Sequence, residues 1–292
     1  MTFLVHENVL FYFHGRHSQT PAAIYGGDCH KLLARNRCIV RPNPFASELA
    51  VANSRLHFAA NGELVGRDVD SFLREAHREF RRRILRAEFP CVGAKAAFHE
   101  QTYGFAAYSK LASTESTAGL CRDLFEFREH ARKIDNYATF IAVFASPLNV
   151  SEAEFEDLLW RQLRRLHAAD VASWAADVSS EPADSHFSFS FAGRAFYIVG
   201  MHANSSRAAR RFPWPTLVFN PHEQFERLRS DGKWKRMQQT IRAREVALQG
   251  SVNPMLNDFG ERSEARQYSG RTVEEDWIAP FPKLSGKCPF GH

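Results

Sequence analysis

Phe187-Ser-Phe-Ser-Phe191, Ala192-Gly193 and Arg194-Ala-Phe-Tyr-Ile-Val-Gly-Met201 form the stretch that decides the fold. Phenylalanines at 187, 189 and 191 alternate with Ser188 and Ser190, and Phe196 and Ile198 follow the Ala-Gly pair. Period-two alternation around a short turn predicts a β-hairpin with one aromatic face. Downstream, Thr216 to Phe219 reads as a further strand. Asn220-Pro221 offers an N-cap and a first-turn proline, with Glu223 at the third helical position, for a helix carrying Phe225 and Leu228. Another helix spans about Trp234 to Leu248, and Asn253-Pro254 breaks the chain after it.

Upstream, Ser151-Glu-Ala-Glu154 is a capping box opening a helix that runs to Ala169, with Phe155, Leu158, Leu159, Leu163 and Leu166 on one face. Tyr137 to Ala145 reads as a buried strand, and Ala96 to Tyr108 as a strand-like stretch. A helix is expected from Asp70 to Arg86, its Phe72, Leu73, Ala76, Phe80 and Ile84 at helical spacing. Leu49 to Ala59 is a candidate strand with Asn61-Gly62 turning after it, and the tail from Thr272 is extended. Strands and helices in mixed order, without a βαβ rhythm or an internal repeat, predict an α+β fold: a single domain with a mixed sheet flanked by helices. Residues 1–66 are read as an N-terminal extension of uncertain structure, and 67–292 as the main domain.

The 292 residues carry 44% hydrophobic and 24% charged side chains, a composition that excludes a disordered chain. No apolar run is long enough for a membrane span, and the first residues lack the basic start and cleavage site of a signal peptide. The expectation is a cytoplasmic protein. Thirty of the 38 cations are arginine, but a net charge of +5 over this length argues little for nucleic acid. The five cysteines, Cys29, Cys38, Cys91, Cys121 and Cys288, contain no CxxC pair, so neither a disulfide framework nor a zinc site is implied. Phosphate-loop, nucleophile-elbow and HExxH patterns are absent.

The chemistry is concentrated between Gly200 and Arg271. His202 ends an aromatic strand and is followed by Ser206, Arg207, Arg210 and Arg211. One imidazole beside several anion-binding side chains can serve haem, as axial ligand and propionate partners, or can be a core histidine next to surface arginines. His222 falls in a helix's first turn, where the dipole favours a neutral ring able to bind metal or carry a proton; it can equally be a turn residue. Ser263 to Arg271 is either a pocket wall or a buried polar network. Two thiols stand out: Cys91, after Phe89-Pro90 and before a small-residue turn, and Cys288, in Lys287-Cys288-Pro289-Phe290.

Taken in order and spacing, these pieces, with Phe89-Pro90-Cys91, Phe155-Glu156 to Leu159-Trp160 and Cys288-Pro289-Phe290, resemble the YqcI/YcgG family over roughly residues 88–290. Members include haem-dependent enzymes that N-hydroxylate the guanidino group of L-arginine. The resemblance therefore implies haem b, with His202, His222 and Cys288 as candidate iron ligands and Ser206, Arg207, Arg210 and Arg211 at the propionates. It implies a guanidine or amine substrate, with Glu264 at the guanidinium, Arg266 at the carboxylate, and Gln267 and Tyr268 as neighbours. The implied partners are a small-molecule substrate and an electron donor or peroxide, with a homodimer as candidate assembly. The rival is a haem carrier or sensor without catalysis. Two departures are visible: His202-Ala203 replaces the family's His-Pro, and Gly286 stands where its tail motif carries tryptophan.

Overall fold

The computed structural model describes residues 42–66, 68–134, 137–256 and 261–282. Asn43 onward forms one compact unit. Its centre is a seven-stranded mixed sheet in the order β2-β1-β3-β4-β7-β6-β5. The strands are β1 (His57–Ala60), β2 (Glu63–Val65), β3 (Tyr103–Lys110), β4 (Thr139–Ser146), β5 (Phe189–Phe191), β6 (Arg194–Met201) and β7 (Thr216–Pro221). Only β3 and β4 run parallel; every other neighbouring pair is antiparallel. This is the expected α+β domain with helices flanking a mixed sheet.

Both hairpin turns follow from residue type. Ala192-Gly193 and Asn61-Gly62 each place two residues at positive φ (53° and 72°, 53° and 80°), the turn whose twist matches a two-residue hairpin. The Asn61-Gly62 hairpin pairs β1 with β2, so residues 57–65 supply one edge of the sheet.

Seven α-helices are described: α1 (Glu48–Asn53), α2 (Ser71–Ile84), α3 (Val92–Glu100), α4 (Thr114–Ala131), α5 (Glu152–Ala169), α6 (Glu223–Ser230) and α7 (Trp234–Gln249). The capping box of α5 is present, with Ser151 and Glu154 bonded reciprocally. Four sequence expectations change. Leu49 to Ala59 is not one strand: Ser47 caps α1 by accepting from the Ala50 amide, and extended chain resumes at His57. Ala96 to Tyr108 is the end of α3 followed by β3, because its alanines favour helix and Gln101, at φ 58°, stops it. Asn220-Pro221 does not cap α6: both residues complete β7, and the Asn220 side chain accepts from the Thr139 hydroxyl at 3.0 Å. Finally, α4 supplies the crossover between parallel β3 and β4, a βαβ unit that the sequence pattern concealed.

One core lies between the sheet and α4 and α5, around Leu124, Phe127, Phe140, Phe155, Leu159 and Trp160. A second lies on the opposite face beneath α2 and α3, around Leu73, Phe80, Phe98, Phe105, Ile141 and Met201. No described helix is long and apolar enough to cross a membrane.

Candidate functional site

Strand alternation sorts the residues of β6. Phe196 and Ile198 join the α4–α5 core, whereas Val199 and Met201 pack with the α2–α3 core. On that second face lies a cavity of about 280 Å3, with Phe80 and Ile84 of α2, Ala94 and Phe98 of α3, and Met237 and Ile241 of α7 in its wall. Apolar side chains supply much of the wall, which also carries five arginines, two glutamates and His222.

The main polar point is Glu264, in a short 3-10 helix (Glu264–Gln267) beside β6. Its Oε1 accepts from the hydroxyls of Ser188 and Tyr268, each at 2.7 Å. Its Oε2 lies 3.6 Å from Nε2 of buried His222, which also lines the cavity. Burial pushes the His222 pKa down, but hydrogen bonding and charge from Glu264, with help from Glu226, outweigh it, so the pKa is raised. The helix-dipole expectation of a neutral ring is reversed, because a carboxylate at contact distance is a stronger influence than a helix end. Gln267 closes this side, accepting from the Tyr197 hydroxyl at 2.7 Å.

The arginine segment divides. Ser206 donates from its amide and hydroxyl to Glu152, at 2.9 and 2.8 Å, and Arg211 donates to the carbonyls of Ser205 and Ser206. Neither residue lines the cavity, whereas Arg207 and Arg210 do. Arg207 bonds Ser251 and stands 3.8 Å from Glu245. Arg210 donates to the carbonyls of Gly200 and Gln267, at 3.0 and 3.2 Å, and has no ion-pair carboxylate among the described residues. A guanidinium that meets carbonyls and no carboxylate keeps its charge available to an anionic ligand.

His202 stands elsewhere. It follows Gly200 on the α5 side of the sheet, and its ring stacks on Phe155 with centroids 4.4 Å apart. Burial lowers its pKa, and Nδ1 has no partner among the described residues. The site thus gathers His222, Glu264, Gln267, Arg207 and Arg210 at one cavity, while His202, Ser206, Arg211, Arg266 and Tyr268 stand outside its wall. Tyr268 touches the site through Glu264. Arg266 donates to the carbonyls of Glu274, Glu275 and Trp277, tying the tail to the 3-10 helix. Cys288 lies outside the described residues.

The residue that spacing arguments undervalued is Cys91, in the cavity wall at the N-terminus of α3. Its sulfur accepts from the Ala94 amide at 3.4 Å, and burial pushes its thiol pKa up. Its signal was Phe89-Pro90-Cys91 before Gly93: proline stops the preceding chain and small residues open a helix whose amides meet the sulfur. Among the described residues no group of three or more His, Cys, Asp or Glu could hold a metal ion by itself.

The model of the YqcI/YcgG family matches residues 80–282, from α2 to the tail and including the whole cavity-bearing sheet face beyond β1 and β2. The chain belongs to the YqcI/YcgG family. Two Bacillus subtilis (strain 168) members, "Uncharacterized protein YcgG" and "Uncharacterized protein YqcI", are 27% and 26% identical to it, each over 70% of this chain and over 81% and 83% of their own lengths. A Streptomyces lavendulae protein named "Putative N(omega)-hydroxy-L-arginine synthase DcsA" is 25% identical over 78% of this chain and 87% of its own. No solved structure matches the chain. The matched YqcI/YcgG region contains Cys91, Arg207, Arg210, His222 and Glu264.

Proposed function

We propose that this YqcI/YcgG protein is a haem-dependent oxygenase that N-hydroxylates a small guanidine or amine, L-arginine or a derivative, in natural-product biosynthesis. The observation that carries the reading is Glu264: a carboxylate fixed by two hydroxyls in the wall of a cavity whose α2 and α3 side is apolar. Such a group selects a cationic ligand and fixes where its nitrogen sits. The name of the Streptomyces lavendulae relative points to the same substrate class.

The cavity suits haem by the chemistry of its donors. A porphyrin brings four nitrogens of its own, so one protein side chain suffices and a three-residue cluster is not required. Cys91 is the donor we assign to the iron. Its sulfur sits at a helix N-terminus and accepts a backbone N–H, which favours a thiolate, while burial opposes it. His222 is the poorer donor, because Glu264 and Glu226 raise its pKa and so favour a protonated ring. Arg210, with Arg207 beside it, is the propionate partner. Bound there, haem would supply the oxygen-transfer chemistry, using O2 with an electron donor, or peroxide.

The chain's own contribution is binding and proton control. Glu264 accepts from the guanidinium or ammonium through Oε2, which Ser188 and Tyr268 leave free and His222 shares at 3.6 Å. The apolar wall of α2 and α3 excludes water from the reacting nitrogen. His222, whose pKa Glu264 raises, can carry a proton at the site.

The test is the purified protein loaded with haem and challenged with amino acids, amines and guanidines. The reading expects a cation-dependent shift of the ferric Soret band and a product heavier by one oxygen. A protein that takes up haem but yields no product from any of them would be the carrier or sensor instead.

A further inference from the structure

We propose that the cavity holds an α-amino acid with a large apolar side chain. Its ammonium sits on Glu264, its carboxylate on Arg210, and its side chain between α7 and the wall of α2 and α3. This rests on the reading above in one respect, Glu264 as acceptor for a cationic nitrogen; it chooses an amine over a guanidine and uses no haem.

Helix α7 shows why the side chain is apolar. None of its 16 residues is buried, yet Trp234, Met237 and Ile241 line the cavity. A helix of this length is ordinarily held by an apolar face seated on packed side chains. Across the cavity stand Phe80, Ile84, Phe98 and Ile141, all of them buried. An apolar group between these two surfaces meets carbon on both sides, as a core side chain does. Volume sets its size: an apolar cavity of about 150 Å3 takes up benzene. The 280 Å3 here has room for such a ring and for a charged head group beside it.

The head group is read from two charges held at opposite ends of one short helix. Glu264 opens the 3-10 helix Glu264–Gln267, and at its far end Arg210 donates to the Gln267 carbonyl at 3.2 Å. Three residues of such a helix rise about 6 Å, a span that one head group can bridge with a hydrogen bond at each end. Among the described residues no ion pair joins Arg210 to Glu264, whose Oε2 is shared with His222 at 3.6 Å. Three other arginines of the wall, Arg207, Arg229 and Arg262, stand near the carboxylates of Glu245, Glu226 and Glu275. Arg210 meets carbonyls instead, so its charge suits an anionic group. An α-amino acid answers both charges from one carbon. A simple amine leaves Arg210 unanswered, and a simple acid leaves Glu264 so.

The test is calorimetric titration of the full chain with L-phenylalanine, L-leucine, L-alanine and L-arginine. Phenethylamine and 3-phenylpropionate, each lacking one charge of L-phenylalanine, complete the set. Burial of the phenylalanine or leucine side chain should tighten binding about 10- to 150-fold over L-alanine. Each one-charge analogue should bind at least about tenfold more weakly than L-phenylalanine, one charge-assisted hydrogen bond being lost. Arg210→Gln should weaken L-phenylalanine by a similar factor and leave phenethylamine unchanged; Ile241→Ala should weaken L-phenylalanine but not L-alanine. L-arginine or L-alanine bound as tightly as L-phenylalanine overturns the apolar side chain and leaves Glu264 as the cation acceptor. Phenethylamine bound as tightly as L-phenylalanine overturns the carboxylate on Arg210 and again leaves Glu264 in its role. If Arg210→Gln fails to fold, the analogues decide on the parent protein. Binding of 3-phenylpropionate as tight as that of L-phenylalanine, or binding of no amine at all, removes the cation reading and this inference with it.

Discussion

Replacing Glu264 by glutamine removes one charge and almost nothing else. The amide oxygen can still accept from Ser188 and Tyr268, so the local network keeps its shape. Oε1 already accepts two hydroxyls, so a cation would compete with His222 for Oε2. The lost interaction is therefore one charge-assisted hydrogen bond, worth roughly 1.5–3 kcal/mol. That corresponds to roughly 10- to 150-fold weaker binding of L-arginine, each 1.4 kcal/mol being about tenfold. A second effect follows at His222. In the parent, Glu264 raises the pKa of that ring, so the pair stabilises the fold below the unfolded value of 6.5 and loses this stabilisation as pH rises through the folded pKa. Without the charge, the main influence raising this pKa is gone, and the pH dependence from His222 should shrink. Calorimetric titration with L-arginine, paired with a urea melt across pH 5–8, measures both. Unchanged affinity in a folded variant would refute the guanidinium role, and loss of folding would make Glu264 structural.

Three further substitutions separate parts of the account. Cys91→Ala should remove the thiolate signature from the ferrous–CO spectrum while His202→Ala leaves it intact; a spectrum altered only by His222→Ala would assign the iron to that imidazole. Gly200→Ala should destabilise by about 1–3 kcal/mol in urea, since its new methyl would lie 2.7 Å from the Tyr268 carbonyl and a Phe155 ring carbon; a change within about 0.5 kcal/mol would show that α5 can move away. His77, buried and bonded to the Tyr103 hydroxyl at 2.8 Å, has its pKa lowered by burial to about 4. Its folded pKa lies below the unfolded 6.5, so the stability it confers is complete above pH 6.5 and is lost as pH falls towards 4; His77→Leu should flatten that slope, and an equal slope in both proteins would contradict it.

How legible this molecule is in its sequence depended on how single-minded each element is. The Phe187–Met201 hairpin and the α5 capping box were plain, because alternation or capping chemistry acts there without competition. Helix α4 was hidden because its buried face includes Ser116, Thr117, Gly119 and Asp123, which blur the apolar period. Asp123 is completely buried yet bonded by the Arg55 amide and the Tyr108 hydroxyl, a pairing between segments far apart in the chain. The site was legible as a region and not as a geometry. Glu264, Gln267 and His222 do meet, but His202, one position past Met201 at the end of β6, faces the opposite side of the sheet. Arginine type alone did not separate Arg210, in the cavity wall, from Arg266, spent on tail carbonyls.

The central claim is that this cavity oxidises a cationic nitrogen, and the most direct measurement is turnover by the haem-loaded protein with L-arginine and reductant under O2, or with peroxide. The account predicts a ferric Soret shift on adding L-arginine or a related guanidine and a product heavier by one oxygen, both weakened in Glu264→Gln. Haem bound normally, with neither shift nor oxygenated product from any guanidine or amine, would contradict it.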